Sequence, residues 1–388
     1  MKTLLYASPF SPKKSGISDY SETMVYGLKK YFDVTLLTDD YRLSNEKLYE
    51  DFDVKVYGRD KISFNGFDSI LYNVGNCAAF HKYIYDCALK HPGFIILHDL
   101  VLYYLTLEYY RDRTDYYSKV REIAGPEAFF ELKLELRKGK ELLHSGPDIA
   151  VKAPLNKELL LNSKGFIVHS QYSKDKLLKE NAGLNVLKID HPSFPFRAAC
   201  LKGDHLKNTF AIGDSAFVIA SFGAVHATRH NDIVCRAVKR MNMESKSKIY
   251  YVMVGTGDYA DGYLDSHIIK TGYVSRDIYD DILSRCDIVV GLRYPSMGET
   301  SGSLIRALSA GKPCIVTDDA WFSELPDDSV IKIDRDASES DIYEKLKYFM
   351  MNRGQLKNIS DNASMYINGR PGLDEECKKI RDLLMLGL

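Results

Sequence analysis

"YPSMGETSGSLIRALSAGKPCIV", residues 294–316, opens with glycines and small hydroxyl residues around a single acid, Glu299. A helical run follows, ends in Ala-Gly-Lys-Pro, and gives way to a β-branched strand. Turn, helix, glycine stop and apolar strand in that order make one repeat of a parallel α/β sheet. Upstream the same grammar recurs. "FVIASFG" (217–223), "IYYVMVG" (249–255), "IIKTGYV" (268–274), "DIVVGLR" (287–293) and "PCIVTD" (313–318) read as buried strands, with helical patterns at 231–241, 276–285, 299–310 and 340–352. Strands apolar along their whole length are those buried on both faces.

Further upstream the rhythm occurs once more. "TLLYA" (3–7), "VTLLT" (34–38), "SILYNV" (69–74), "FIILH" (94–98) and "GFIVHS" (165–170) are its strands, with helices at 19–31, 79–90 and 171–181. "DHPSFPFRAAC" (190–200), with Pro192 and Pro195, is the expected linker, so the expected domains are 1–190 and 191–388. "ELKLELRKGK" (131–140) alternates with period two but is rich in helix formers and is read as helix, inside an insertion from about 102 to 160. In "PGLDEECKKIRDLL", Leu373, Cys377, Ile380 and Leu384 recur at helical spacing after Pro371. A length of 388 residues suits two such domains.

Composition narrows the function. The formal net charge of −1 argues against nucleic acid or an anionic membrane as a bulk electrostatic partner. Seven scattered cysteines, an odd number without metal-ligand spacing, fit a reducing compartment rather than a disulfide framework or a zinc site. The start "MKTLLYASPF" reads as a strand rather than a signal peptide, and the longest apolar stretch is broken by His98-Asp99, so a cytoplasmic protein is expected. Tyr103, Tyr104, Tyr109, Tyr110, Tyr116 and Tyr117 cluster. Helix packing explains them best, and contact with an acceptor sugar or a membrane interface is the alternative.

In doubly wound sheets ligands bind beyond the carboxyl ends of the strands, so residues just after strands carry the information. After 3–7 comes "SPFSPKKSGISDYS", where Gly16 precedes a helix with Ser18 or Asp19 as expected cap. A glycine there either lets backbone approach an anion or serves a left-handed turn. "YNVGN" offers Asn76, as a ligand for hydroxyls or as a helix cap. "ILHDL" offers His98, with Asp99 as the carboxylate to fix its tautomer. "FGAVHATRHN" places Gly223 at a strand end and Arg229, a planar fork suited to phosphate, in the loop behind it. Arg293 ends the strand before Glu299, Thr300, Ser301, Gly302 and Ser303, whose amides open a helix toward an anion. Glu299 would repel a phosphate and is better matched to the hydroxyl donors of an attached sugar; the alternative is that it caps its own helix. No Walker pattern occurs.

"RYPSMGETSGSLIRALSAGKPCIVTDDAWFSELPD" (293–327) resembles the donor-binding segment of glycosyltransferase family 4, retaining enzymes of the GT-B fold. "SPKKSGISDYS", "YNVGN", "HPGFIILHD", "FIVHSQYS", "FGAVHATRH" and "TGYVSRDIYDDILSRCDIVVGLR" are similar to further segments of that family in the same order. The resemblance spans most of the chain and is weakest over 102–160 and 190–215. It implies two Rossmann-like domains with parallel sheets facing a central cleft, the first binding acceptor and the second nucleotide sugar, with a last helix (about 371–388) returning to the first domain. It implies that Gly16 approaches the donor phosphate, His98 contacts the transferred sugar, Arg229 binds the diphosphate, Glu299 faces the sugar, and backbone at Tyr273 and Val274 receives the nucleobase.

The family carries a second glutamate that holds the ribose. Here Ala307 and Arg306 occupy that region, and His230 stands near the place of a second basic residue. The expected activity is retaining transfer of a hexose-type sugar from a nucleotide diphosphate to a glycan, lipid-linked or protein acceptor. No metal or cofactor is called for, and the setting is cytoplasmic with room for peripheral association at the inner face of a membrane. Catalysis is assigned to His98, Glu299 and Arg229; donor binding to Gly16, Gly223, Tyr273, Val274, Arg293, Thr300, Ser301, Gly302 and Ser303; acceptor binding to Asn76 and Asp99. A non-catalytic GT-B partner subunit and a sugar-nucleotide epimerase are the rival readings.

Overall fold

The computed structural model describes residues 1–193, 204–245 and 248–386. The expected linker at 190–200 lies outside the described residues from 194 onward. Two compact units emerge. The first comprises Met1–Pro192, Met297–Thr300 and Pro371–Leu388, and the second Ser193–Ser296 and Ser301–Arg370.

The first unit holds a seven-stranded sheet in the order β3-β2-β1-β4-β5-β6-β7. Its strands are β1 (Lys2–Ala7), β2 (Phe32–Thr38), β3 (Asp53–Val56), β4 (Ser69–Val74), β5 (Phe94–Leu97), β6 (Gly165–Val168) and β7 (Val186–Lys188). All pairs are parallel. Side chains alternate across it, as the pleat requires. Leu4 and Tyr6 enter one buried cluster, and Leu5 and Ala7 enter the cluster on the opposite face.

The second unit holds a six-stranded parallel sheet, β10-β9-β8-β11-β12-β13. Its strands are β8 (Phe217–Phe222), β9 (Ile249–Val254), β10 (Ile268–Lys270), β11 (Ile288–Gly291), β12 (Cys314–Thr317) and β13 (Ile331–Ile333). Phe217 and Ile219 face one cluster, Val218, Ala220 and Phe222 the other. In both sheets the first strand of the unit sits in the middle and the order reverses beside it, at β1/β4 and at β8/β11. Loops leaving those strands diverge to opposite faces and open a crevice at the carboxyl edge.

The tyrosine cluster belongs to the core of the first unit. Tyr103 and Tyr110 are buried, and their hydroxyls donate to the Leu142 carbonyl (2.6 Å) and to Glu158 (2.6 Å). Tyr109 donates to Asp86 at 2.7 Å, and Tyr117 is the exposed member. The segment 131–140 is helical through Arg137, in a helix Tyr116–Arg137 that is broken at Gly125 (φ 74°, ψ 173°) before Pro126. The helix Leu373–Leu386 packs Cys377, Ile380, Leu383 and Leu384 into the cluster that contains Leu4, Tyr6, Tyr20 and Leu71. Gly27 makes room for it: a Cβ there would lie 2.6 Å from Cys377 Sγ.

Two expectations need correction. The helix expected over 299–310 runs Gly302–Ser309. Ser301 caps it by accepting from the Leu304 amide (3.3 Å), while Gly298 holds φ 83° and turns the chain before the helix begins. Ser15, not Ser18 or Asp19, caps the helix Gly16–Leu28, its Oγ accepting from the Ile17 amide at 3.2 Å.

Candidate functional site

In the second unit the switch point delivers two guanidinium groups. Gly223 follows β8 with φ 105°, and a Cβ on it would lie 2.8 Å from Arg229 Nη2. A side chain is excluded there by conformation and by space. Arg229 ends a short 3₁₀ turn (Ala227–Arg229), and its Nη1 donates to the Phe222 carbonyl at 2.8 Å. Arg293 follows β11, the hydrogen-bonded neighbour of β8, and its Nη1 donates to Thr228 Oγ1 at 3.3 Å. His226 lies near both, its Nδ1 3.1 Å from Thr228 Oγ1. Burial pushes its pKa down, and the charges of Arg293 and Arg229 push it further. The imidazole therefore senses a positive field at this edge of the sheet.

His230 is tied to the backbone of the strand-end loop. It adopts a left-handed φ of 49°, and its Nε2 bonds to the Tyr294 carbonyl at 3.0 Å. Arg293 supplies the second charge.

The remaining donor-side residues follow the sheet edge. Ser301 and Ser303 place their hydroxyls 3.2 Å apart at the amino end of the helix Gly302–Ser309. Tyr273 is exposed and Val274 half-buried, in the loop that leads from β10 to a helix (Arg276–Arg285) capped by Ser275. Arg306 is buried, with its guanidinium 4.9 Å from the centre of the Tyr279 ring.

Glu299 and Thr300 belong to the first unit. Glu299 precedes the helix rather than capping it, and its Oε2 accepts from the Met297 amide at 2.7 Å. The segment is pinned to that unit from both sides: Val101 N–H donates to the Met297 carbonyl (3.0 Å) and Ser173 Oγ to the Gly298 carbonyl (3.0 Å).

Gly16 lies after β1 as the first residue of its helix. It needs no left-handed φ, and a Cβ would meet nothing within 4 Å. Neither strain nor crowding inside the protein calls for glycine there.

His98 follows β5 and is partly buried. Its Nε2 lies 3.1 Å from Asn73 Oδ1, so Asn73, not Asp99, orients the ring. Tyr20 meets it edge-on at 4.7 Å, and His169 and His191 stand around the same tyrosine at 5.1 Å each. Burial, reinforced by the neighbouring imidazoles, holds the His98 pKa well below its usual value. Asp99 instead accepts from the Asn76 amide at 2.7 Å. Asn76 Oδ1 accepts from the amides of Tyr104 (2.9 Å) and Leu105 (3.3 Å), at the start of the helix Tyr103–Tyr110.

Sequence reasoning passed over Asn73, His226 and Thr228. Asn73 had a visible signal: an amide inside the apolar run "SILYNV" must find polar partners if the strand is buried. Among the described residues no group of three or more histidine, cysteine or acidic side chains is arranged to hold a metal ion, and no helix is long and apolar enough to cross a membrane.

Residues 216–350 match the family model of glycosyl transferases group 1. A search of curated proteins gave no match. Among solved structures, HepE of Anabaena, in complex with UDP and glucose, superposes with a TM-score of 0.67 at 14% identity over 100% of both chains. Sucrose-phosphate synthase of Thermosynechococcus elongatus gives 0.66 at 10% identity over 99% of this chain and 98% of that one. WaaG, a glycosyltransferase involved in lipopolysaccharide biosynthesis, gives 0.61 at 12% identity over 99% and 100%. The fold is GT-B, and the family match together with that fold supports a place in the GT-B glycosyltransferase superfamily.

Proposed function

We propose that the protein is a retaining glycosyltransferase that moves a hexose-type sugar from a nucleoside diphosphate to a glycan, lipid-linked or protein acceptor. The observation that carries this reading is the pair Arg229 and Arg293 beside Gly223 at the switch point of the second sheet. It lies inside the stretch matched by the glycosyl transferases group 1 family.

When the glycosidic bond breaks, negative charge develops on the departing diphosphate. Fixed guanidinium groups and the free amides at Gly302 and Ser303 stabilise it without reorganising. The open approach at Gly16 suits a phosphate close to backbone. Glu299 and His98 hold hydroxyls of the sugar, and Tyr273 and Val274 present backbone to the base. The second unit is the donor domain and the first the acceptor domain, with Asp99 near the acceptor. The leaving phosphate takes the acceptor's proton on the face it vacates, so no protein nucleophile, metal or cofactor is required. The reading places the enzyme in the cytoplasm, with its acceptor free or at the inner face of a membrane. The complexes of HepE hold UDP and UDP-glucose, which makes UDP-glucose the first donor to try here.

The test is release of labelled sugar from UDP-, GDP-, dTDP- and CMP-sugars, preceded by a thermal-shift screen. Arg229→Ala and Glu299→Ala should each lower transfer by about 10²-fold or more while circular dichroism stays native. Full activity in both variants overturns the site. Ala307 and Arg306, both buried, occupy the region where the resembled family holds its second acid, and this favours one second reading, a non-catalytic partner subunit. That reading wins if nucleotide sugars bind but are never turned over in the presence of acceptor extracts.

A further inference from the structure

Asn73 sits in β4 with no exposure to solvent, so its amide must be satisfied internally. Its Nδ2 lies 3.3 Å from the Ala7 carbonyl, which can only accept. The NH2 end of the amide therefore faces Ala7, and the oxygen end faces His98 at 3.1 Å. An amide oxygen carries no hydrogen, so the proton on the His98 ring is at Nε2. The ring is neutral, because burial and the surrounding His169, His191 and His81 disfavour charge. A neutral imidazole protonated at Nε2 has a lone pair at Nδ1. Among the described residues no protein group bonds to that nitrogen.

We propose that Asn73 is a positioning residue that locks His98 in the Nε2–H tautomer, so that Nδ1 accepts a hydrogen bond from a hydroxyl of the transferred sugar. This rests on the reading that His98 faces the sugar. It deepens that reading by fixing the polarity of the contact. The sugar must donate at that position, and a donor whose hydroxyl is replaced by hydrogen leaves the lone pair unmatched. Asn73 also supplies an internal control. Its backbone carbonyl accepts from His81 Nδ1 at 3.1 Å, which holds His81 in the opposite tautomer. A side-chain substitution at 73 should change His98 and spare His81.

The experiment is a long-range proton–nitrogen NMR spectrum of the full chain labelled at its 10 histidines, paired with donor kinetics. His98 is expected as Nε2–H and His81 as Nδ1–H. In Asn73→Leu, His98 should become a tautomer mixture while His81 keeps its pattern. In Asn73→Asp, which retains an acceptor, His98 should stay Nε2–H. With the natural donor, Asn73→Leu should lose roughly 10- to 100-fold in kcat/KM. It should lose nothing further on the one deoxy analogue that lacks the contacting hydroxyl. His98 found as Nδ1–H in the native protein overturns the proposal even if Asn73→Leu fails to fold. So does an unchanged His98 tautomer in that variant, or an equal loss across every deoxy donor. If the native tautomers are as stated but no nucleotide sugar is turned over, the transferase reading falls separately, and the hydroxyl contact is decided by binding: equal Kd for a nucleotide sugar and all of its deoxy analogues refutes it.

Discussion

Gly223 combines a backbone conformation that side chains resist with a guanidinium packed where its Cβ would be. Gly223→Ala should therefore do two things: cost about 1–3 kcal/mol of stability from backbone strain, and displace Arg229 from the switch point. Urea unfolding reads the first, and titration with a nucleotide sugar reads the second as a weaker Kd. A different residue sets the response to acid. Burial lowers the pKa of His81 from 6.5 to about 4. The unfolded chain binds a proton at this histidine near 6.5, and the folded chain only near 4. Stability therefore falls as pH drops through that window, by up to about 1.4 kcal/mol per pH unit from this group, and His98 adds in the same direction. Denaturation midpoints at pH 7, 6 and 5 should decline in sequence, and His81→Gln should flatten the decline.

At the scale of elements, the approach to the helix Gly302–Ser309 separates a capping role from a binding role on residues two apart. Ser301 is the cap, so Ser301→Ala should cost about 1 kcal/mol in stability. Glu299 is not, and glutamine keeps an acceptor for the Met297 amide. Glu299→Gln should hold stability to within about 1 kcal/mol while transfer drops roughly 10- to 100-fold; thermal melts beside turnover assays separate the two. The long strands and their order along the chain were legible because each is a run of apolar residues long enough to cross a buried sheet. The short strands β3, β7 and β13 were not. Each has three or four residues at a sheet edge and carries Asp53, Lys55, Lys188 or Lys332; β10, an equally short edge strand with Lys270, was legible because it opens the longer run 268–274. The helix Arg353–Asn368 escaped for a related reason, since it buries only Leu356, Ala363 and Ile367. At the site, residues after strands were readable by position alone. What a sequence does not show is which partner each finds across the sheet. Asp99 is next to His98 in the chain, yet Asn73 holds the ring from the neighbouring strand.

At the scale of the whole molecule, the first unit is assembled from distant parts of the chain, residues 1–192, 297–300 and 371–388. The helix Leu373–Leu386 contributes Cys377, Ile380, Leu383 and Leu384 to its core, each almost fully shielded. At about 1.5–3 kcal/mol per large buried side chain their sum approaches the entire stability of an ordinary domain. Truncation after Arg370 should therefore melt the first unit while the second keeps its sheet. Hydrogen exchange resolved by residue should show protection lost in β1 and β4 and kept in β8 and β9.

That returning helix also sets a timetable for synthesis. The amino-terminal unit leaves the ribosome first, yet the groove beside Gly27 stays uncovered until codons 373–386 have been translated. For most of its biogenesis the nascent polypeptide carries an unsealed greasy face around Leu28 and Leu71, so a product that stops short of residue 373 should be cleaved by protease faster than the full chain.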